Sequence, residues 1–257
     1  AGYKIMSKVL IIGFGTVGHN LAEELAPLHP DIYDKYKPEH NTRDPQGGYD
    51  VAFICVDTPY LPGKSVCDTS EVVNAIQEND AEIFVMKSTV LPGTVDRLCM
   101  ETGKNIIFSP EYYGGTQHCN NFDFAFTILG GERRCCLKVQ QLLQNVYDAR
   151  HTFRITDAKT AELAKYMENA FLATKVGFCT QFWYTAGQIG VDYEELRELF
   201  VLDPRVGKAH TFVYDEHPFW SSHCLDKDVP AIAEIYRMPF LQSVIDFNDS
   251  MKKRFSE

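Results

Sequence analysis

The stretch of sequence that decides the fold is Val9-Leu10-Ile11-Ile12-Gly13-Phe14-Gly15-Thr16-Val17-Gly18. Its apolar residues predict a buried strand, and the three glycines after them have the spacing of a dinucleotide-binding turn. The first glycine allows a tight turn, the second lets backbone approach a pyrophosphate, and the third lets the next helix pack closely. A phosphate group would then lie at the helix N-terminus, where unpaired N–H groups and the helix dipole favour an anion.

An acidic residue at the end of the second predicted strand, Asp31 to Asp34, strengthens this interpretation. Asp34 lies about 20 residues after the turn, where a ribose-binding carboxylate is expected. It favours NAD over NADP because it would repel a 2′-phosphate, although Lys35 and Lys37 are close enough to oppose that preference. The alternative is a structural strand-to-helix turn beside a surface acid. The residues predicted to bind the cofactor are Gly13, Gly15, Thr16, Val17, Gly18, Asp34, Lys35, Thr58, Ser88 and Lys227.

Strands and helices alternate through the first part of the chain, which is typical of a doubly wound α/β sheet. Further strands are predicted at 51–56, 83–86, 106–108 and 126–129, and helices at 17–28, 71–78, 95–102 and 132–146. We therefore predict an N-terminal, NAD-binding, Rossmann-like domain over residues 1–152.

The pattern changes after about residue 152 to that of an all-helical domain, predicted over 153–257. It predicts one long central helix from 158 to about 188, a helix over 193–200, an irregular stretch over 203–228, and helical segments over 240–255. The irregular stretch ends in a loop that carries Cys224.

Composition and charge narrow the classes of partner. The formal net charge is −10, which argues against nucleic acid or an anionic membrane as the main partner. No apolar run approaches the length that spans a bilayer. Eight cysteines without a Cys-x-x-Cys pair indicate free thiols, so a cytoplasmic location is expected. The spacing of His210, His217, His223 and Cys224 fits no zinc pattern, so no metal site is predicted.

A second informative stretch is His223-Cys224-Leu225-Asp226-Lys227-Asp228. A cysteine beside a lysine and an aspartate is a candidate nucleophile, and with a nicotinamide-binding turn it suggests an alcohol oxidised past the aldehyde. The alternative is that Cys224 is a small buried hydrophobic residue.

Several segments, taken together, resemble the UDP-glucose/GDP-mannose dehydrogenase family. The segments, in family order, are Lys87 to Thr94, Ser109 to Tyr113, Thr160 to Lys175, Asp203 to Gly207, and Cys224 with Lys227 and Asp228. The resemblance covers nearly the whole chain. It includes nothing of the second, UDP-binding domain that follows the central helix in the family, so a short form lacking that domain is expected.

The resemblance implies an NAD-dependent, four-electron oxidation of the primary alcohol of a nucleotide sugar to a carboxylate. Cys224 would trap the aldehyde as a thiohemiacetal, which a second oxidation turns into a thioester, and Lys227 and Lys165 would favour its thiolate. Lys165 and Asn169, one helical turn apart, would bind one substrate oxygen and stabilise negative charge on it.

The resemblance also assigns the remaining site residues. Thr89 and Asp228 would position water, and Glu111 would serve as general base in hydrolysis. Arg205 would reach the substrate across a dimer interface, and the central helix would build a homodimer. Surface or structural roles remain the alternative for Glu111 and Arg205.

Two departures from the family pattern bear on the substrate. The family's Gly-Phe-Gly-Gly-Ser-Cys loop is replaced by Phe219-Trp220-Ser221-Ser222-His223-Cys224, and Asp57 replaces a proline. Losing the glycines adds side chains where backbone approaches the sugar. Two alternatives therefore stay open: a two-electron dehydrogenase of a smaller hydroxy acid or sugar phosphate, and a non-catalytic NAD-binding protein.

Overall fold

A computed structural model describes residues 7–61, 63–64, 66–113 and 124–256 of the protein. The strands are β1 (Val9–Ile12), β2 (Asp31–Tyr33), β3 (Tyr49–Ile54), β4 (Tyr60–Leu61), β5 (Val66–Cys67), β6 (Ala81–Met86), β7 (Ile106–Phe108), β8 (Phe126–Gly130) and β9 (Thr152–Thr156). All except the short β4 and β5 belong to one seven-stranded sheet.

The order of the strands in this sheet is β2-β1-β3-β6-β7-β8-β9, and only β7 and β8 pair antiparallel. The chain leaves β1 for β2 on one side and then returns to β3 on the other side. Ile12 and Ile54 are opposite each other, so β1 and β3 end together. Ligands of open parallel sheets bind at such a switch point, beyond the carboxyl ends of the strands. The predicted doubly wound α/β fold is confirmed.

The central strands are continuous apolar runs because both of their faces are covered. Leu10, Ile12, Ala52 and Ile54 belong to one buried cluster. Val9, Ile11, Val51 and Phe53 belong to the other. The helices are α1 (Thr16–Glu24), α2 (Ser70–Gln77), α3 (Thr94–Thr102), α4 (Arg133–Leu143), α5 (Ala158–Ile189), α6 (Tyr193–Phe200), α7 (His223–Ile235) and α8 (Pro239–Phe255). Among these helices of the described chain, none is both long and apolar enough to cross a membrane.

The long helix and the helix over 193–200 are confirmed, two other predictions were wrong in detail, and one strand was missed. The helix predicted over 17–28 ends at Glu24, and Ala26–Leu28 forms a 3-10 turn around Pro27. The stretch predicted to be irregular up to residue 228 ends earlier, because the Ser222 side chain accepts the Leu225 N–H and starts α7. Strand β9 was missed because it is half-exposed and polar residues interrupt its sequence.

The backbone divides into two compact units, and the division falls within α5, between Lys165 and Tyr166. The first unit contains the seven-stranded sheet, including β9, so the sheet continues past residue 152. The second unit contains most of α5 together with α6, α7 and α8.

A buried glutamate on α5 caps the N-terminus of α3 in the first unit. Glu162 is fully buried and accepts the N–H groups of Gly93, at 2.5 Å, and Val95, at 2.9 Å. These N–H groups belong to the start of α3, where the helix itself offers no acceptor. Burial raises the pKa of the Glu162 carboxyl to about 7, against the opposing effect of the two N–H groups.

The raised pKa predicts a pH-dependent contribution to stability. The folded state holds the Glu162 proton more tightly than the unfolded chain, whose glutamates titrate near 4.5. The contribution of Glu162 is therefore complete at low pH and decreases as pH rises from about 4.5 through 7. We expect the free energy of unfolding of the wild type to exceed that of Glu162→Gln by more at about pH 5 than at about pH 8, and the difference to shrink by on the order of 2 kcal/mol between them.

The measurement is urea unfolding of both proteins at several pH values. Glu132→Gln is the control, because Glu132 also caps a helix by accepting the Cys135 N–H, but on the surface and with a lowered pKa. Its effect should be constant over this range. An equally constant difference for Glu162→Gln would contradict the prediction.

Candidate active site

The glycine turn after β1 is shaped by two close approaches. Gly13 has φ +90°, and a Cβ there would lie 2.7 Å from the Cys55 carbonyl oxygen at the end of β3. A Cβ at Gly18 would lie 1.9 Å from the Gly13 carbonyl oxygen. Because Gly18 has no side chain, α1 can pack directly against the turn. The sequence analysis expected this third glycine to allow close packing of the helix.

The N-terminus of α1 is open at the second glycine. Gly15 is the N-cap, it provides no side-chain acceptor, and no atom lies within 4 Å of where its Cβ would be. Thr16 is exposed and Val17 is half-buried in the first turn. The unpaired N–H groups and the free space together suit a phosphate group.

Asp34 fixes the far side of this turn. It is buried, and its carboxylate accepts the N–H groups of Phe14 at 2.7 Å, Tyr36 at 2.8 Å and Lys37 at 3.0 Å. A carboxylate has about four acceptor positions, so Asp34 retains capacity for a ligand hydroxyl. Its orientation is set by the backbone before any ligand binds.

A cavity of about 450 Å³ extends from the turn along the ends of β2 and β3. Its acidic lining residues are Asp34, Asp57, Asp68, Glu71 and Glu78. The two lysines near Asp34 are engaged with other groups. Lys35 Nζ lies 3.2 Å from Glu71, and Lys37 Nζ donates to the Phe14 carbonyl at 2.8 Å. A 2′-phosphate in this cavity would meet carboxylates and no uncommitted lysine among the lining residues.

Two hydroxyl groups tie together the chain that leaves β3 and the chain that leaves β6. Ser88 Oγ donates to the Val56 carbonyl at 2.6 Å, and Thr58 Oγ1 donates to the Thr89 carbonyl at 2.6 Å. Ser88, Thr58 and the half-buried Thr89 are thus held at the carboxyl edge of the sheet, beside the strand end that carries Gly13.

Glu111 and Lys165 are both buried in the first unit. Glu111 follows β7, and its Oε2 accepts the Tyr113 N–H at 2.6 Å. Lys165 Nζ lies 4.7 Å from the centroid of the Tyr112 ring, a cation–π contact that holds the ammonium group beside this segment. The structure therefore brings Lys165 to the segment that carries Glu111.

The sequence analysis gave no role to Lys87, which the structure buries at the end of β6. Its Nζ lies 3.4 Å from Ser109 Oγ and 3.3 Å from the Pro110 carbonyl, so it joins the ends of β6 and β7. Burial lowers the pKa of Lys87, against the opposing charges of Glu24 and Glu111. The signal that the sequence offered for Lys87 was its position directly after a buried apolar strand.

In the second unit, Asn169 and Asp228 form a buried polar pair. Asn169 Nδ2 donates to Asp228 Oδ2 at 2.7 Å, and Asp228 is 1% exposed. Lys227 Nζ lies 3.2 Å from the other oxygen, Oδ1, as an ion pair. Oδ1 accepts no hydrogen bond from the residues that the structure describes. A buried carboxylate oxygen without a donor is a place for a water molecule or a ligand hydroxyl.

Cys224 lies in the first turn of α7, in the second unit, and its side chain is exposed. It is one turn before Asp228, so the two are neighbours along one helix face. The helix N-terminus favours an anion, which here would be a thiolate. Cys135, Cys136 and Cys179 are buried by contrast, and the alternative of a buried structural cysteine does not describe Cys224.

Arg205 is exposed and pairs with Asp203, two residues before it, at 2.6 Å. The structure places it on the surface of the second unit, held by its own loop.

Among the described residues, no group of three or more His, Cys, Asp or Glu side chains could hold a metal ion.

Comparison with known proteins shows what this arrangement is similar to. Residues 159–250 match the model of the UDP-glucose/GDP-mannose dehydrogenase family, central domain. UDP-glucose 6-dehydrogenase of Rickettsia bellii is 29% identical over 210 residues, which are 76% of this chain and 47% of that protein. UDP-N-acetyl-D-mannosamine dehydrogenase of Methanocaldococcus jannaschii is 27% identical over 216 residues, 79% of this chain and 49% of that protein.

The fold is also that of a solved structure. A UDP-glucose dehydrogenase from Pyrobaculum islandicum superposes with a TM-score of 0.78 at 23% identity, over 96% of this chain and 69% of that one. The chain spans about half the length of the two curated relatives above. Residues 159–250 are thus similar to the central domain of the UDP-glucose/GDP-mannose dehydrogenase family, and the fold of the chain is similar to that of a solved UDP-glucose dehydrogenase.

Proposed function

We propose that this protein oxidises the primary alcohol of a nucleotide sugar of the UDP-glucose type to the carboxylate, with NAD as oxidant and Cys224 as nucleophile. The observation that carries the proposal is the first turn of α7. It presents an exposed cysteine one helical turn from a buried aspartate whose Oδ1 is paired with Lys227 but accepts no hydrogen bond from the described residues. The relatives' names supply the class of substrate.

NAD is the cofactor that the first unit fits. The open N-terminus of α1 suits the pyrophosphate, Asp34 suits a ribose hydroxyl, and the acidic cavity disfavours a 2′-phosphate. Bound there, NAD accepts a hydride in each of two oxidations. We propose a corresponding division of labour, with cofactor binding in the N-terminal, Rossmann-like domain and the nucleophile in the helical domain.

The substrate oxygen is the atom on which Lys165 and Asn169 act in this proposal. They are one turn apart on α5, and each is buried and held in place. A fixed ammonium group and a fixed amide stabilise negative charge better than mobile groups, because they need no reorganisation when the charge develops.

The second oxidation requires a covalent intermediate. Cys224 Sγ adds to the aldehyde carbon to form a thiohemiacetal, loss of a hydride and a proton gives the thioester, and water then releases the carboxylic acid and the thiol. In total, one alcohol, two NAD⁺ and one water give one carboxylate, two NADH and three protons. Asp228 and Thr89 would position that water, and Glu111 would take its proton.

A homodimer is the proposed assembly. An exposed apolar row runs along α5: Met167 is 75% exposed and Phe171 61%. The row continues with Phe178 and Phe182, which contact each other, and Phe178 also contacts Phe200 on α6. Contiguous exposed apolar side chains of this kind mark interaction surfaces. Arg205 would reach the partner's substrate in such a dimer, and the protein would work in the cytoplasm.

The nucleophile is tested by counting NADH per sugar. With NAD⁺ in excess over UDP-glucose, we expect two NADH per sugar from the wild type. Cys224→Ala should lower the rate by at least about a thousandfold, because no thioester can form. Cys67→Ala, which removes another partly exposed thiol, is the control. Full activity in Cys224→Ala, with one NADH per substrate molecule, would favour the two-electron dehydrogenase of a smaller substrate instead.

The cofactor assignment is tested by calorimetric titration with NAD⁺ and NADP⁺. Asp34→Asn keeps the shape of the side chain but removes its charge and an acceptor. We expect NAD⁺ to bind about tenfold more weakly and the preference for NAD⁺ over NADP⁺ to shrink. Asp148→Asn, at an exposed ion pair with Arg150, should change neither affinity. An unchanged preference in Asp34→Asn would remove Asp34 from cofactor recognition.

The dimer is tested by sedimentation. Met167→Glu combined with Phe171→Glu places charges in the apolar row and should give a monomer, because a dimer interface would have to bury them. Phe240→Glu on α8 is the matched control, since Phe240 is similarly exposed, at 66%, but lies outside the row. A wild type that sediments as a monomer, or a double variant that stays dimeric, would refute the proposed interface.

A further inference from the structure

The chain before Cys224 is clamped by one buried side chain of α8. Asn248 is 1% exposed. Its Oδ1 accepts the Trp220 N–H at 2.9 Å, and its Nδ2 donates to the Trp220 carbonyl at 3.0 Å. One amide thus satisfies both main-chain groups of Trp220, in the way that a neighbouring strand satisfies a residue of a sheet. The Trp220 side chain is itself buried, so this point of the chain is fixed.

A second contact from the same helix holds the first turn of α7. Lys252 lies one turn after Asn248 on α8, and its Nζ is 2.7 Å from Asp226 Oδ1. The same ammonium group is 5.2 Å from the centroid of the Trp220 ring. Ser221 Oγ reaches the other Asp226 oxygen at 3.4 Å. Asn248 and Lys252 therefore hold the chain on both sides of Cys224, at Trp220 and at Asp226.

The first turn of α7 needs such support from outside. Pro230 lies inside α7 and has no N–H to give to the Asp226 carbonyl, four residues earlier. The turn therefore lacks one bond of the helical ladder just after Cys224. The segment from Phe219 to Cys224 also contains no glycine. Trp220 is its buried side chain, and those from Ser221 to Cys224 are exposed.

We propose that Asn248 and Lys252 are positioning residues that fix the first turn of α7 and so orient the Cys224 thiol. They act through Trp220 and Asp226 and do not touch the reacting atoms. The inference deepens the proposed function, since it takes from it the role of Cys224. A clamped turn keeps the thiol at the helix N-terminus, where the thiolate is favoured.

A purely structural role would give a different result from a positioning role. If Asn248 and Lys252 only stabilise the fold, their loss lowers the melting temperature and leaves the chemistry of Cys224 in the folded protein unchanged. If they position the thiol, their loss changes its reactivity at temperatures where the protein is fully folded. The charged or titratable groups within four residues of Cys224 on α7 are His223, Asp226, Lys227 and Asp228, and Lys252 of α8 pairs with Asp226.

The experiment measures the alkylation rate of Cys224 by iodoacetamide in the folded wild type and variants, by peptide mass spectrometry over about pH 6 to 10. Asn248→Ala removes the clamp without changing charge, and Asn248→Asp keeps the acceptor for the Trp220 N–H. Lys252→Met removes the second contact. Lys253→Met is the matched control, because it removes the neighbouring, exposed lysine.

We expect the midpoint of the rate profile to move to higher pH in Asn248→Ala and Lys252→Met, less in Asn248→Asp, and not in Lys253→Met. The kcat for sugar oxidation should fall about tenfold in Asn248→Ala, as for a lost buried hydrogen bond, while KM for the cofactor stays unchanged. Unshifted profiles in folded Asn248→Ala and Lys252→Met would overturn the inference. Alkylation needs neither cofactor nor sugar, so a shift would stand even if Cys224→Ala retained activity and the proposed function failed.

Discussion

The structure depends on one constraint: a polar group buried on α5 must find a partner inside the protein. Glu162 finds the N–H groups at the start of α3, and Lys165 finds the face of the Tyr112 ring. Asn169 finds the carboxylate of Asp228. Each partner belongs to a segment that carries a candidate active-site residue or leads into one. Helix α5 is thus the element that orients candidate site residues in both compact units.

A second constraint acts at the glycine turn. Because the parallel strands β1 and β3 end together, the turn after β1 lies against the end of β3, and a side chain at Gly13 would strike the Cys55 carbonyl. The same crowding brings Asp34 within hydrogen-bond distance of the Phe14 N–H. The acid that the sequence predicts to bind ribose is therefore part of the turn and not an independent group beside it. In the proposed function, one carboxylate would serve both cofactor recognition and the integrity of the turn.

The candidate nucleophile illustrates what the sequence could and could not predict. The order Cys224, Lys227, Asp228 was visible as a motif, but the stretch around it was predicted to be irregular. Ser222 capping a helix is a local signal that a closer reading of the sequence could have used. The support from Asn248 had no such signal, because a single asparagine in an amphipathic helix does not reveal a main-chain partner 28 residues away.

The elements that could be predicted from the residues are those whose physics is local: the apolar strands, the glycine turn with its acid, and the long helix. They depend on periodicity and on the conformational freedom of glycine, which neighbouring residues already express. Tertiary packing settled which buried polar groups meet. It paired Asn169 with Asp228, buried Lys87 between two strand ends, and joined α8 to the chain before Cys224. Such pairings join residues distant in the chain, and they are fixed by the need to satisfy each buried donor and acceptor once the helices have packed.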